Sequence, residues 1–139
     1  MAQHLGAVAL VVPDYDEALA FYVGKLGFDL IEDTRLTEDK RWVLVAPRGS
    51  SETRLLLAKA DGPRQADAIG NQTGGRVFLF LNTDDFDRDH RAMTDFGVTF
   101  LEPPRVEPYG KVAVFVDPFG NKWDLIQPTF SASGRTFGS

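Results

Sequence analysis

The chain carries one pattern twice, about seventy residues apart, and that repetition sharply limits the folds open to it. Gly6-Ala7-Val8-Ala9-Leu10-Val11-Val12 returns as Gly75-Arg76-Val77-Phe78-Leu79-Phe80-Leu81. Gly27-Phe28-Asp29-Leu30-Ile31-Glu32 returns as Gly97-Val98-Thr99-Phe100-Leu101-Glu102, and Lys40–Pro47 returns as Lys111–Pro118. Constant order at a nearly constant offset means two modules of one design.

Each module reads as βαβββ. In the first, apolar residues 5–12 form a strand that Pro13-Asp14 stops, and Asp14 with Glu17 makes a capping box. The helix that follows runs to about Lys25, with Ala18, Phe21, Tyr22 and Leu26 on one face and Gly27 just past its end. Strands are expected near 28–34, 40–46 and 53–59. Asp61 to Gly74 is polar and glycine-rich and reads as the linker. The second module repeats the programme: a strand at 75–81, a helix at about 84–95 capped by Thr83, and strands at 98–103, 111–117 and 121–127. Asp117-Pro118-Phe119-Gly120-Asn121 has the composition of a hairpin turn. Residues 1–128 therefore form one α+β domain of modules 5–60 and 75–128, with 129–139 a flexible tail.

Composition removes several classes of function. The 139 residues include no cysteine, which excludes disulfides, thiolate metal sites and a cysteine nucleophile. A net charge of -5 without any Lys/Arg run argues against nucleic acid and anionic membranes as partners. The apolar run Gly6–Val12 is too short to span a bilayer, so a cytoplasmic location is expected.

Strand alternation predicts which residues face a ligand. Val8, Leu10 and Val12, with Val77, Leu79 and Leu81, suit the side covered by the helices. Ala7, Ala9 and Val11, with Arg76, Phe78 and Phe80, then face a cup formed between the modules.

Val11-Val12-Pro13-Asp14-Tyr15-Asp16-Glu17-Ala18-Leu19-Ala20-Phe21-Tyr22, then Lys25-Leu26-Gly27-Phe28, then Asp117-Pro118-Phe119-Gly120-Asn121-Lys122-Trp123-Asp124-Leu125-Ile126 resemble the vicinal oxygen chelate superfamily. Glyoxalases, extradiol dioxygenases, fosfomycin-modifying enzymes and bleomycin resistance proteins share that scaffold. The resemblance covers residues 5–128 and implies tandem βαβββ modules in a curved mixed sheet around a cup, in a homodimer. It also implies metal ligands, His or Glu, on the first and last strands of each module. Those positions fall on Ala7, Leu56, Arg76 and Asp124, of which only Asp124 can bind a metal. His4 lies on the wrong alternation for a rescue, and His90 belongs to the surface of the second helix.

With Asp124 inward, Lys122 and Ile126 follow; with Leu56 inward, Arg54 and Ala58 follow. The expected ligand-binding set is thus Arg76, Asp124, Arg54, Lys122, Phe78, Phe80 and Leu56. Two readings of its charges stand open. Arg76 and Asp124 form an ion pair that plugs the vacated metal site, or an arginine stays free to hold a carboxylate or enolate oxygen. Either way no cofactor is expected, and the cup suits an anionic or neutral aromatic ligand. The alternative is a glyoxalase-like lyase, isomerase or dioxygenase using Ni, Zn, Fe or Mn, or arginine in place of metal. Trp42, Trp123, Tyr22 and Tyr109 read as core, the Asp84, Asp85, Asp87 and Asp89 run as a helix start, and Pro103–Gly110 as a stiff loop or lid.

Overall fold

Each half of the chain builds its own sheet, as the repeat requires. A computed structural model describes residues 2–129 and divides them into two units between Gln72 and Thr73, inside the expected linker. The tail expected at 129–139 lies outside the described residues except for Thr129.

The first unit contains β1 (Ala7–Val12), α1 (Tyr15–Tyr22), β2 (Asp29–Arg35), β3 (Arg41–Ala46), β4 (Arg54–Lys59) and the single turn α2 (Pro63–Ala66). Its sheet has the order β1-β4-β3-β2, with β1 parallel to β4 and the other pairs antiparallel. Asp14 caps α1 by accepting the Glu17 N–H at 2.9 Å. Leu10, Val12, Val43, Val45, Leu55 and Leu57 alternate onto the buried side with Ala18, Phe21 and Tyr22 of the helix. The linker is more ordered than its composition suggests. The Gln72 amide donates to the Val11 carbonyl at 3.2 Å and to that of Ala68 at 3.0 Å. A side chain thereby satisfies backbone groups that the edge strand β1 leaves unpaired.

The second unit contains β5 (Val77–Asn82), α3 (Phe86–Asp95), β6 (Thr99–Phe100), β7 (Arg105–Glu107), β8 (Gly110–Val116) and β9 (Lys122–Pro128). The sheet runs β5-β9-β8-β6, and β7 also pairs with β8. α3 starts later than expected because Thr83 is spent elsewhere. Its hydroxyl takes the Asp85 N–H and donates to Asp89, so Asp85 becomes the cap and accepts from Arg88. An aromatic ladder crosses the helix–sheet interface: Phe86, His90, Phe100, Phe115 and Trp123 stand with successive centroids 5.4, 4.3, 5.8 and 5.7 Å apart. His90 therefore belongs to this ladder rather than to the open surface.

Two expectations fail in one place, for one reason. The strand expected at 98–103 stops after Phe100, and the loop expected at 103–110 contains β7. Pro103 and Pro104 have no N–H to give a ladder, so pairing to β8 lapses and resumes at Arg105↔Val112. The segment is a sheet edge and not a lid.

The Asp117–Asn121 turn is held from within. One Asp117 oxygen accepts from the backbone of Phe119 (3.0 Å) and Asn121 (2.8 Å), and the other accepts from the Asn121 amide at 2.8 Å. Asp117 and Asn121 are both buried. Asp117→Ala would strand those donors away from water and is expected to destabilise by about 2–3 kcal/mol. Urea denaturation checks this; a loss below about 1 kcal/mol would show the turn to be held by other bonds.

Candidate functional site

Neither sheet presents its second face to its own helix, and the expected ligand-facing residues lie there. In the first unit Ala7, Ala9 and Val11 alternate with the buried positions of β1, while Arg54, Leu56 and Ala58 do so on β4. Registers Ala7↔Arg54, Ala9↔Leu56 and Leu44↔Leu56 place these residues side by side. The face is apolar apart from Arg54, whose Nε is buried with no hydrogen-bond partner.

In the second unit the corresponding face centres on Asp124. Its cross-strand neighbours are Phe80 on β5 and Val114 on β8. Asp124 is 7% exposed, and its Oδ1 is buried with no hydrogen-bond partner. Buried polar atoms almost always find a partner, so an orphaned carboxylate oxygen is informative. Burial pushes the Asp124 carboxyl above the usual aspartate range, Arg105 pulls it back and Glu102 pushes it further up.

Arg105 and Glu102 are the residues that the sequence reading missed. Pairing with Val112, itself opposite Ile126, puts Arg105 on the face of Asp124. Its guanidinium donates to Glu102 (3.0 Å) and the Tyr109 hydroxyl (3.1 Å) and lies 3.3 Å from Glu107. Glu102 also accepts the Val114 N–H at 3.2 Å, replacing the backbone partner that the interrupted strand does not supply. The visible signal was Arg105-Val106-Glu107, an alternating triplet between the pair Pro103-Pro104 and a Pro-Tyr-Gly turn.

The other expected residues divide. Phe78 and Phe80 alternate on β5, with Phe80 exposed beside Asp124. A register shift between Val77 and Leu79 makes Phe78 the extra residue of a bulge. Lys122 is half-buried and donates to the Gly75 carbonyl at 3.2 Å. Arg76 lies in an exposed bend before β5 begins. It forms no ion pair with Asp124 among the described residues, so the Arg76–Asp124 plug is not made. Tyr22 and Trp123 are core as expected, whereas Trp42 and Tyr109 are exposed.

The chain belongs to the Glyoxalase/Bleomycin resistance protein/Dioxygenase superfamily, whose family model matches residues 4–125. An uncharacterized protein of Shewanella frigidimarina is 61% identical over 91% of this chain and 95% of its own length. The crystal structure of UcmS2 superposes with a TM-score of 0.79 at 31% identity, covering 91% of this chain and 98% of that one. TnmS3, an antibiotic binding protein from Streptomyces sp. CB03234, gives 0.73 at 34% identity, with 91% and 97% covered.

Of the four positions that the family resemblance assigns to metal ligands, only Asp124 carries a carboxylate. Ala7 and Leu56 offer no donor atom, Arg76 is a cation, and Asp124 stands within electrostatic reach of Arg105. Among the described residues no three His, Cys, Asp or Glu side chains cluster as a ligand set, and His4 is exposed. Nor is any described helix long and apolar enough to cross a membrane.

Proposed function

We propose that this protein binds a small aromatic molecule, neutral or singly anionic, without a metal, using the helix-free sheet face that carries Asp124. The observation that carries this reading is the orphaned Asp124 Oδ1 beside the apolar Phe80, Val114 and Ile126. A polar atom left buried and unpaired costs about 1–3 kcal/mol, which a ligand hydroxyl would recover. An aromatic body suits exposed Phe80, and an anionic oxygen suits the Arg105 guanidinium on the same face. Similarity to an antibiotic binding protein supports sequestration of such a compound as the role. A cytoplasmic homodimer is part of the proposal, and light scattering at twice the chain mass tests the dimer.

A thermal-shift screen of hydroxylated aromatics and aromatic carboxylates tests the reading, followed by calorimetry on Asp124→Leu and Phe80→Ala. Each variant is expected to weaken binding at least about tenfold, and Ni²⁺ or Zn²⁺ titrated into wild type should give no stoichiometric heat. Stoichiometric metal binding lost in Asp124→Leu would overturn it in favour of a metal-dependent enzyme. One observation favours a second reading, a metal-free lyase or isomerase. A desolvated Asp124 carboxyl with a raised pKa is suited to proton transfer, and Arg105 would face the developing enolate. Turnover of a 2-oxoaldehyde–thiol adduct, absent in Asp124→Leu, would establish it.

A further inference from the structure

The first unit, taken by itself, holds an opening. β3 and β4 pair from Val45↔Leu55 to Val43↔Leu57, yet β3 already begins at Arg41 and β4 continues to Lys59. The strand ends diverge, and a cavity of about 530 Å³ lies between them, walled by Trp42, Leu56, Ala58 and Ala60. At its base the Tyr15 hydroxyl takes over as partner for the main chain, accepting the Arg41 N–H at 3.1 Å. Tyr15 is 6% exposed and lines the cavity, but its own O–H donates to no described residue. A phenol can donate and accept at once, so one buried donor remains unspent.

Besides Arg41, four charged residues line the same cavity: Lys40 and Lys59, Asp39 and Asp61. None of the four is ion-paired among the described residues. Arg41 is already committed to Asp33 (2.7 Å) and Asp16 (2.9 Å), and its guanidinium sits 5.1 Å above the Tyr15 ring. Two free cations, two free anions, an inward hydroxyl and a Trp42 wall define the complement of one kind of molecule. We propose that this cavity binds a small zwitterion with an aromatic body, in chemical terms an aromatic amino acid. The carboxylate accepts from Tyr15 O–H and faces a lysine, the ammonium faces an aspartate, and the ring lies on Trp42. An anion or a cation alone would leave one pair of charges unused, and so would bind less tightly.

Titration of L-phenylalanine into ¹⁵N-labelled protein tests this, with phenylacetate and phenethylamine as the singly charged probes. Saturable shifts are expected at residues 39–42 and 56–61, with both singly charged probes at least about tenfold weaker. Tyr15→Phe keeps the ring and removes the donor, and should weaken L-phenylalanine about tenfold; Lys59→Gln, on an exposed side chain, should do likewise. Circular dichroism confirms that each variant is folded. No saturable shift with either L-phenylalanine or L-tryptophan would overturn the proposal. Equal binding of all three phenyl probes, or unchanged affinity in both folded variants, would overturn it too.

Discussion

Phe115→Ala is expected to cost about 3–5 kcal/mol of folding stability. Phe115 is 0% exposed and stands between Phe100 and Trp123, with centroids at 5.8 and 5.7 Å. The register pairs it with both, Phe100 on β6 and Trp123 on β9. Alanine removes the middle of the ladder, and its backbone-pinned neighbours cannot close the void. Packing interiors to near-crystalline density is what makes such a gap expensive. Val106→Ala, on a side chain 79% exposed, should stay within about 0.5 kcal/mol and serves as the control. Urea denaturation of both variants reads the difference. A Phe115→Ala loss near the control value would mean that α3 does not pack on the sheet through this ladder.

That ladder also shows where sequence reasoning succeeds and where it stops. Trp123 was legible as core, and the unbroken register of β8 with β9 sets Phe115 directly opposite it on the same face. The buried sides of β1 and β4 were legible from alternation, a local property of the strand, with Leu10, Val12, Leu55 and Leu57 all inside. His90 was not, because its partner Phe100 comes from another element, so its burial is a tertiary fact. The Arg105–Glu102 pair was hidden differently. It depends on a proline pair interrupting a strand, a carboxylate replacing a main-chain acceptor, and a return to register three residues later. Alignment to the first module offered no guide, since β2 there runs unbroken from Asp29 to Arg35 apart from one irregularity. Arg76 is a different case: the resemblance set it at a ligand position together with Asp124, and in the structure it lies in an exposed bend one residue before β5 begins.

Asp124→Asn is expected to stabilise the protein near pH 7.5 by about 1 kcal/mol, the scale of one buried polar mismatch, while wild type and variant converge in acid. Burial raises the Asp124 carboxyl above its ordinary value of 3.8, so the folded protein holds that proton more tightly than the unfolded chain does. Stability from this group is then fully present below pH 3.8 and is lost as pH rises through the raised folded value. Asparagine does not ionise and escapes that loss. The charged groups around the site set its size: Arg105 on β7 offsets part of it, Glu102 adjoining β6 adds to it, and Lys122 on β9 is engaged with the Gly75 carbonyl. Asp33 behaves inversely, since its hydrogen bond to Arg41 lowers its pKa and its contribution is lost as pH falls. It is common to both proteins and cancels in the difference. Chemical denaturation of the pair from pH 3 to 8 reads the gap directly. A gap that opens with rising pH identifies Asp124 as a group kept at a cost to the fold, which is the pattern of a residue retained for a ligand. A gap independent of pH, or a variant less stable than wild type at pH 7.5, would show the carboxylate to be satisfied in solution, and the reading of Asp124 as the ligand's partner would fail with it.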